Sequence, residues 1–150
     1  MNAATDPAYH DYIQWLFPLV TESRFNPLAL LLTEVDRWAF HHEEVVRRYF
    51  TRSLETMWAF YGFRRNDQGG LVRTEGWEER RDNWLTRDNH NLLRINRILR
   101  SSMLCGFIPE ARMFLDAILQ ATKERSNLIG RSEEYWRMSV ATIPAPPEID

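Results

Sequence analysis

Apolar positions recur at helical spacing along most of the chain. The clearest case lies in the middle. Val46, Phe50, Leu54, Met57 and Tyr61 step by four, four, three and four, which lays one continuous stripe along a long helix from about Glu43 to Tyr61. Gly62 follows at the position where left-handed backbone closes a helix. A second stripe, Leu92, Ile95, Ile98, Leu99 and Met103, marks a helix capped by Asp88 or Asn89 and ended by Gly106. A third helix opens at Pro109 and reaches about Arg125, with Phe114, Ala117, Ile118 and Ala121 as its apolar face. Shorter helices fill the rest. Asp6-Pro7 caps a first one, with Tyr9, Tyr12, Ile13 and Leu16 on one face and Pro18 as the stop. Asn26-Pro27 repeats that arrangement before Leu28 to Leu32, and Thr33 caps a brief helix through Phe40. Helix resumes from about Glu75 to Leu85, and Ser132 caps a last one through Val140.

Only Phe63 to Val72 reads as sheet, because Asn66-Asp67-Gln68-Gly69-Gly70 is turn chemistry between two short flanks. The fold class expected is therefore all-α: a compact irregular bundle of about six or seven helices, with one short β-hairpin near 63–73. Residues 1–140 form a single helical domain. Residues 141–150, with three prolines, form a Pro-rich flexible tail.

Composition narrows the function classes. At 150 residues the chain is one ordinary domain, and six Trp and eight Phe make its core aromatic. A net charge of −2 supplies no global field toward nucleic acid or anionic lipid. The single Cys105 forbids an internal disulfide and fits a reducing compartment. The first residues, Met1 to Pro7, have neither the basic nor the apolar region of a secretory signal. No apolar run approaches the ~20 residues that span a bilayer, so a soluble, cytoplasmic protein is expected. Lys123 is the only lysine, a usage typical of a GC-rich genome, which points to a bacterial source. Arginine also offers a planar fork to carboxylates, phosphates and aromatic faces.

Two segments are more specific than an amphipathic pattern requires: His10-Asp11-Tyr12-Ile13-Gln14-Trp15-Leu16-Phe17-Pro18-Leu19 and His90-Asn91-Leu92-Leu93-Arg94-Ile95-Asn96-Arg97-Ile98-Leu99. Together they resemble the signature of the opioid growth factor receptor domain. The resemblance continues through Asn26 to Thr33, Glu34-Val35, Phe60-Tyr61-Gly62, Asn83-Trp84, Phe114-Leu115, Ser132 and Tyr135, and so covers about Ala8 to Val140. The chain departs from the family at Leu92, where an amide is expected, and at Asn96, where a hydroxyl is expected. It also lacks the upstream segment and the repetitive C-terminal region of the animal members, as a single-domain member of bacterial type would. Membership implies an all-helical fold. By the family's name it also implies a receptor for a short opioid peptide, with the animal members nuclear, perinuclear and membrane-associated.

Candidate chemistry clusters in the same two blocks. His90, Arg94, Arg97 and Ser101 fall on one side of their helix, opposite Leu92, Ile95 and Leu99. His90 and Asn91 open that helix, where backbone N–H groups favour an anion, and the two arginines are spaced to clamp a carboxylate. The alternative is a solvated face of ordinary surface charges. In the first block, His10 and Gln14 project together and can hydrogen-bond a bound backbone, with Trp15 and Phe17 as an aromatic wall. The structural alternative is that they satisfy buried backbone groups and fill the core. Asn96, near the apolar side, is expected to make a buried structural hydrogen bond. The ligand-binding set is thus His10, Gln14, Trp15, His90, Asn91, Arg94 and Arg97.

No catalytic residue, metal site or cofactor is expected. His41-His42-Glu43-Glu44 lacks the spacing of a helical zinc or di-iron motif, and Cys105 reads as a small packed hydrophobe. The reading is a non-catalytic domain that binds an unknown peptide or protein in a groove between the first helix and the His90 helix. One alternative is a nucleic-acid, nucleotide or anionic ligand on the Arg-rich 80–100 region, where Arg80, Arg81, Arg87, Arg94, Arg97 and Arg100 interleave with Trp77, Trp84 and His90. Glu78, Glu79, Asp82 and Asp88 offset most of that charge. Another is an enzyme using His10 or His90 as an acid–base group. The oligomeric state is not legible in the sequence.

Overall fold

The computed structural model describes residues 17–19 and 31–149. The helix expected from Asp6 to Leu16 and residues 26–30 of the segment after Asn26 lie outside the described residues, as do His10, Gln14 and Trp15; Leu31 and Leu32 carry no helix, and Leu32 is buried in the core.

The described chain begins its helices where Thr33 completes a capping box. Its Oγ1 accepts from the Asp36 N–H at 3.1 Å, and the Asp36 carboxylate accepts from the Thr33 N–H at 3.0 Å. The helix that follows, α1, spans Glu34–His42. Glu43 takes an extended conformation, which breaks the chain direction before α2, Glu44–Tyr61. Phe50, Leu54, Met57 and Tyr61 of the expected stripe are buried, as is Trp58 beside them.

Gly62 closes α2 at φ 99°, and no other residue fits there. A Cβ would lie 2.6 Å from the Trp77 ring, and the backbone is in the left-handed region. The hairpin comes next, as β1 (Phe63–Arg65) and β2 (Leu71–Arg73), antiparallel with Arg64 opposite Val72. Asn66 organises its turn, with Oδ1 accepting from the N–H groups of Gln68 and Gly70. α3, Trp77–Trp84, starts two residues later than the sequence pattern suggests, because Gly76 adopts φ 75° and cannot be part of a right-handed turn.

α4 (His90–Leu104) runs through the middle of the molecule and packs on both α5 (Ile108–Thr122) and α6 (Ser132–Ala141). A 3-10 segment, Lys123–Leu128, joins these two. Arg125 breaks helical geometry there (φ −130°, ψ 33°), so α5 ends before the position expected from periodicity. Among the described residues there are thus six α-helices and one two-stranded sheet, an all-α fold with a short hairpin.

Aromatic rings connect the elements. Trp77, Trp84, Tyr61 and Phe114 form a chain of contacts with centroids 6.3, 5.4 and 5.5 Å apart. Phe50 meets Phe17, Phe40 and Phe107 in the same way. Two buried indoles find acceptors inside the core. The Trp84 Nε1–H donates to the Tyr61 carbonyl at 2.9 Å, and the Trp136 Nε1–H to the Leu92 carbonyl at 2.9 Å. Residues 142–149 carry no helix or strand and are tied to α1 through Ala145 and Glu148.

Candidate functional site

The site is built around the first turn of α4. Asp88 turns the chain at φ 57°, and Asn89 then caps the helix, its Oδ1 accepting from the Asn91 N–H at 2.9 Å. The Asn89 amide donates to the Asn83 carbonyl and to Thr86 Oγ1. These bonds fix the start of α4 against the end of α3.

Asn91 carries the next layer inward. It is buried at 2% exposure, and all of its polar groups are engaged. Its amide donates to the Asn83 carbonyl at 3.3 Å, its Oδ1 accepts from Arg94 Nη1 at 2.6 Å, and its own carbonyl accepts from the Tyr61 hydroxyl at 2.6 Å. Arg94 is itself 8% exposed. A buried guanidinium is tolerated only where hydrogen bonds replace its water, and Asn91 supplies one such acceptor.

Helical spacing predicts one solvent-facing side for His90, Arg94, Arg97 and Ser101, but the four differ in depth. His90 is exposed at the helix start, Arg94 and Ser101 are buried, and Arg97 is half-buried. Within α4, only His90 and Leu93 are exposed. Burial holds the Arg97 pKa below the usual arginine value. Its Nε–H donates to the Phe17 carbonyl at 2.7 Å. The two signature blocks therefore meet in space, the end of the first lying on the middle of the second. Phe17 is fully buried, edge-on to Phe50, and serves as core. Asn96 bonds to Ser139 of α6, a structural role in line with its place near the apolar side.

A cleft of about 400 Å³ opens beside this helix start. The first turn of α4 forms one wall, through His90, Leu92 and Leu93. The turn from the 3-10 segment into α6 forms the other, through Leu128, Ile129, Arg131 and Tyr135. Leu93 (61% exposed) and Tyr135 (48% exposed) are large apolar groups left at its rim. Arg87, Asp88, Arg131 and Ser132 supply its polar edge. Arg131 is held by two bonds to one Glu134 oxygen and lies 5.9 Å from the Tyr135 ring centre. Periodicity had singled out His90 here. Leu93, Ile129 and Arg131 carry no motif of their own and become neighbours only through the fold.

The Arg-rich stretch does not present a stacking surface. Trp77 and Trp84 are buried in the core, so neither ring is open to a base, while Arg81 and Arg125 both reach Asp82. That hydrogen bonding, led by Arg81, keeps the Asp82 pKa below its ordinary value. Cys105 is fully buried at the end of α4, and burial pushes its thiol pKa up to about 12. Among the described residues, no group of three His, Cys, Asp or Glu side chains is placed to hold a metal ion. None of the described helices is long and apolar enough to cross a membrane.

Comparison with known proteins agrees with the two signature blocks. The opioid growth factor receptor conserved region matches residues 6–143. The opioid growth factor receptor of Rattus norvegicus is 40% identical over 116 residues, covering 73% of this chain and 20% of the receptor. The Homo sapiens receptor is 38% identical over 117 residues, covering 73% and 17%. Opioid growth factor receptor-like protein 1 of Mus musculus is 39% identical over 99 residues, covering 65% and 21%. The chain thus spans about a fifth of the length of these relatives. No solved structure matches. With a match over nearly its whole length and the signature blocks in contact through Arg97 and Phe17, the chain belongs to the opioid growth factor receptor conserved-region family.

Proposed function

We propose that the domain is a non-catalytic binding module that captures a peptide or protein partner in the cleft beside the α4 N-terminus. The observation that carries this reading is the cleft itself, with exposed Leu93 and Tyr135 at its rim inside a polar border. Its volume is in the range of ligand sites, roughly 300–1,000 Å³. An aromatic and an aliphatic anchor ringed by polar groups is the composition of an interface centre. His90 contacts the ligand at the helix start, where the macrodipole favours an acceptor group. Asn91, Arg94 and Arg97 act behind it by holding α4 in place. His10, Gln14 and Trp15 belong to the first signature block, whose last residues include Phe17, the acceptor for Arg97. The Rattus norvegicus and Homo sapiens relatives are named as receptors for a growth factor, and capture of a peptide is the part of that activity proposed for this chain.

The test is selection of a random linear-peptide library on the immobilised full chain, followed by affinity measurement of the enriched peptides. Tyr135→Ala and Leu93→Asp should each weaken binding by at least about tenfold, equivalent to ~1.4 kcal/mol. Both side chains are exposed, so the helical signal should not change. Enriched peptides that bind both variants as well as the parent chain would refute the assignment.

A further inference from the structure

On the opposite end of α4 from the cleft, the chain's own C-terminal segment is held against α1. Arg37 of α1 is 6% exposed and bonds in three directions. Its Nε–H donates to the Leu104 carbonyl at the end of α4 (3.1 Å), Nη1 to Glu34 Oε1 (2.9 Å), and Nη2 to the Ala145 carbonyl (2.7 Å). The other Glu34 oxygen, Oε2, accepts from the Glu148 N–H at 2.9 Å. One ion pair, a single turn apart on α1, therefore offers an acidic acceptor and a basic donor to the backbone of a passing segment.

The segment suits that pair. It reads Pro144-Ala145-Pro146-Pro147-Glu148. Proline has no N–H, so between the Ala145 carbonyl and the Glu148 N–H there is no competing backbone donor. The Ala145 carbonyl and the Glu148 N–H, three positions apart, both reach the Glu34–Arg37 pair in this structure. Such a segment is stiff before it binds and loses little entropy on docking. The hold is nevertheless slight: Ala145, Pro146 and Glu148 are exposed, and Pro144 and Pro147 are half-buried.

We propose that the Glu34–Arg37 pair is a recognition site for an extended proline-rich segment of a partner protein, filled in cis by this chain's own residues 144–148. Arg37, anchored from within by Leu104, is the fixed donor, and Glu34, at the surface, is the adjustable acceptor. A partner segment with a carbonyl and an N–H three residues apart across a proline pair displaces the tail and makes the same two bonds.

The test uses the full chain with Ile149→Cys labelled by a thiol-reactive fluorophore, since native Cys105 is fully buried and does not compete for the label. A synthetic peptide of residues 142–150 is titrated in, and the anisotropy of the tail label is read. A short tether gives the tail an effective concentration in the ~millimolar range, so displacement is expected there. Anisotropy should fall to the free-tail value with the native peptide and stay constant with a peptide bearing Ala at positions 146 and 147. Glu34→Ala should start at the free-tail value and not respond. The proposal is overturned if the tail of the parent chain is already free, or if ~millimolar native peptide leaves it docked, which would make the strap purely structural. It is equally overturned if anisotropy depends on protein concentration, which would assign the site to tail exchange between two copies.

Discussion

Single residues in this domain owe their chemistry to depth rather than to charge or type. Arg94 and Arg97 stand three positions apart in the sequence, yet one is bonded to buried Asn91 and the other to the carbonyl of Phe17, 80 positions away. Cys105 gives the plainest case. Desolvation favours its neutral thiol, so its pKa rises from 9.0 to about 12 on folding. Below pH 9 the thiol is protonated in both states and has no pH-dependent effect. Above pH 9 the unfolded chain ionises first, and stability is lost as pH rises toward the folded value. Compared with Cys105→Ala, which has nothing to titrate there, the parent chain should lose about 1–2 kcal/mol of stability between pH 8 and pH 10. Urea unfolding of both proteins across that range checks this. A difference that does not change with pH would mean that the thiol is solvated. The burial of Arg94 was not legible in the sequence, because helical spacing assigns residues to a side without saying whether water or protein lies there. Asn89 as a cap and Asn66 as a turn residue were legible, because each bonds within a few residues of itself.

At the scale of elements, the helices legible in the sequence are those with both a stripe and a stop. α2 has five stripe positions and Gly62, and it forms almost as periodicity predicts. α3 and α5 deviate at one end each, where Gly76 and Arg125 adopt backbone angles that no apolar pattern encodes. The Gly62 junction holds three elements together, since α2 ends there, β1 begins, and the Trp77 ring of α3 lies against the open face of the glycine. Gly62→Ala places a methyl group into that ring and strains the left-handed backbone, so it should cost about 2–3 kcal/mol. Chemical denaturation would show a lower midpoint with an unchanged slope. Gly69, also at positive φ but with nothing within 4 Å of a Cβ, provides the comparison. Gly69→Ala should cost about 1 kcal/mol, from backbone strain alone. Equal costs at the two positions would show that contact with Trp77 does not matter.

At the scale of the molecule, α4 is the organising element. Its start carries the second signature block and one wall of the cleft. Its middle touches the end of the first block, and its last carbonyl anchors Arg37 and through it the tail. The family signature is therefore largely a record of how α4 is held, by Asn91 to α3 and α2, by Leu92 and Asn96 to α6, and by Arg97 to Phe17. The cleft is what this scaffold leaves open. It was only partly legible in the sequence, through His90, because its other wall comes from residues about 40 positions away whose pairing with α4 depends on the packing of Trp136.

The most direct test of a binding role for this cleft is a backbone amide NMR titration of the full chain with a peptide selected on it. Shift changes should concentrate at residues 87–93 and 127–135 and saturate with a single affinity, with smaller changes along the rest of α4. Saturating changes confined to any other surface, with these two segments unmoved, would contradict the account.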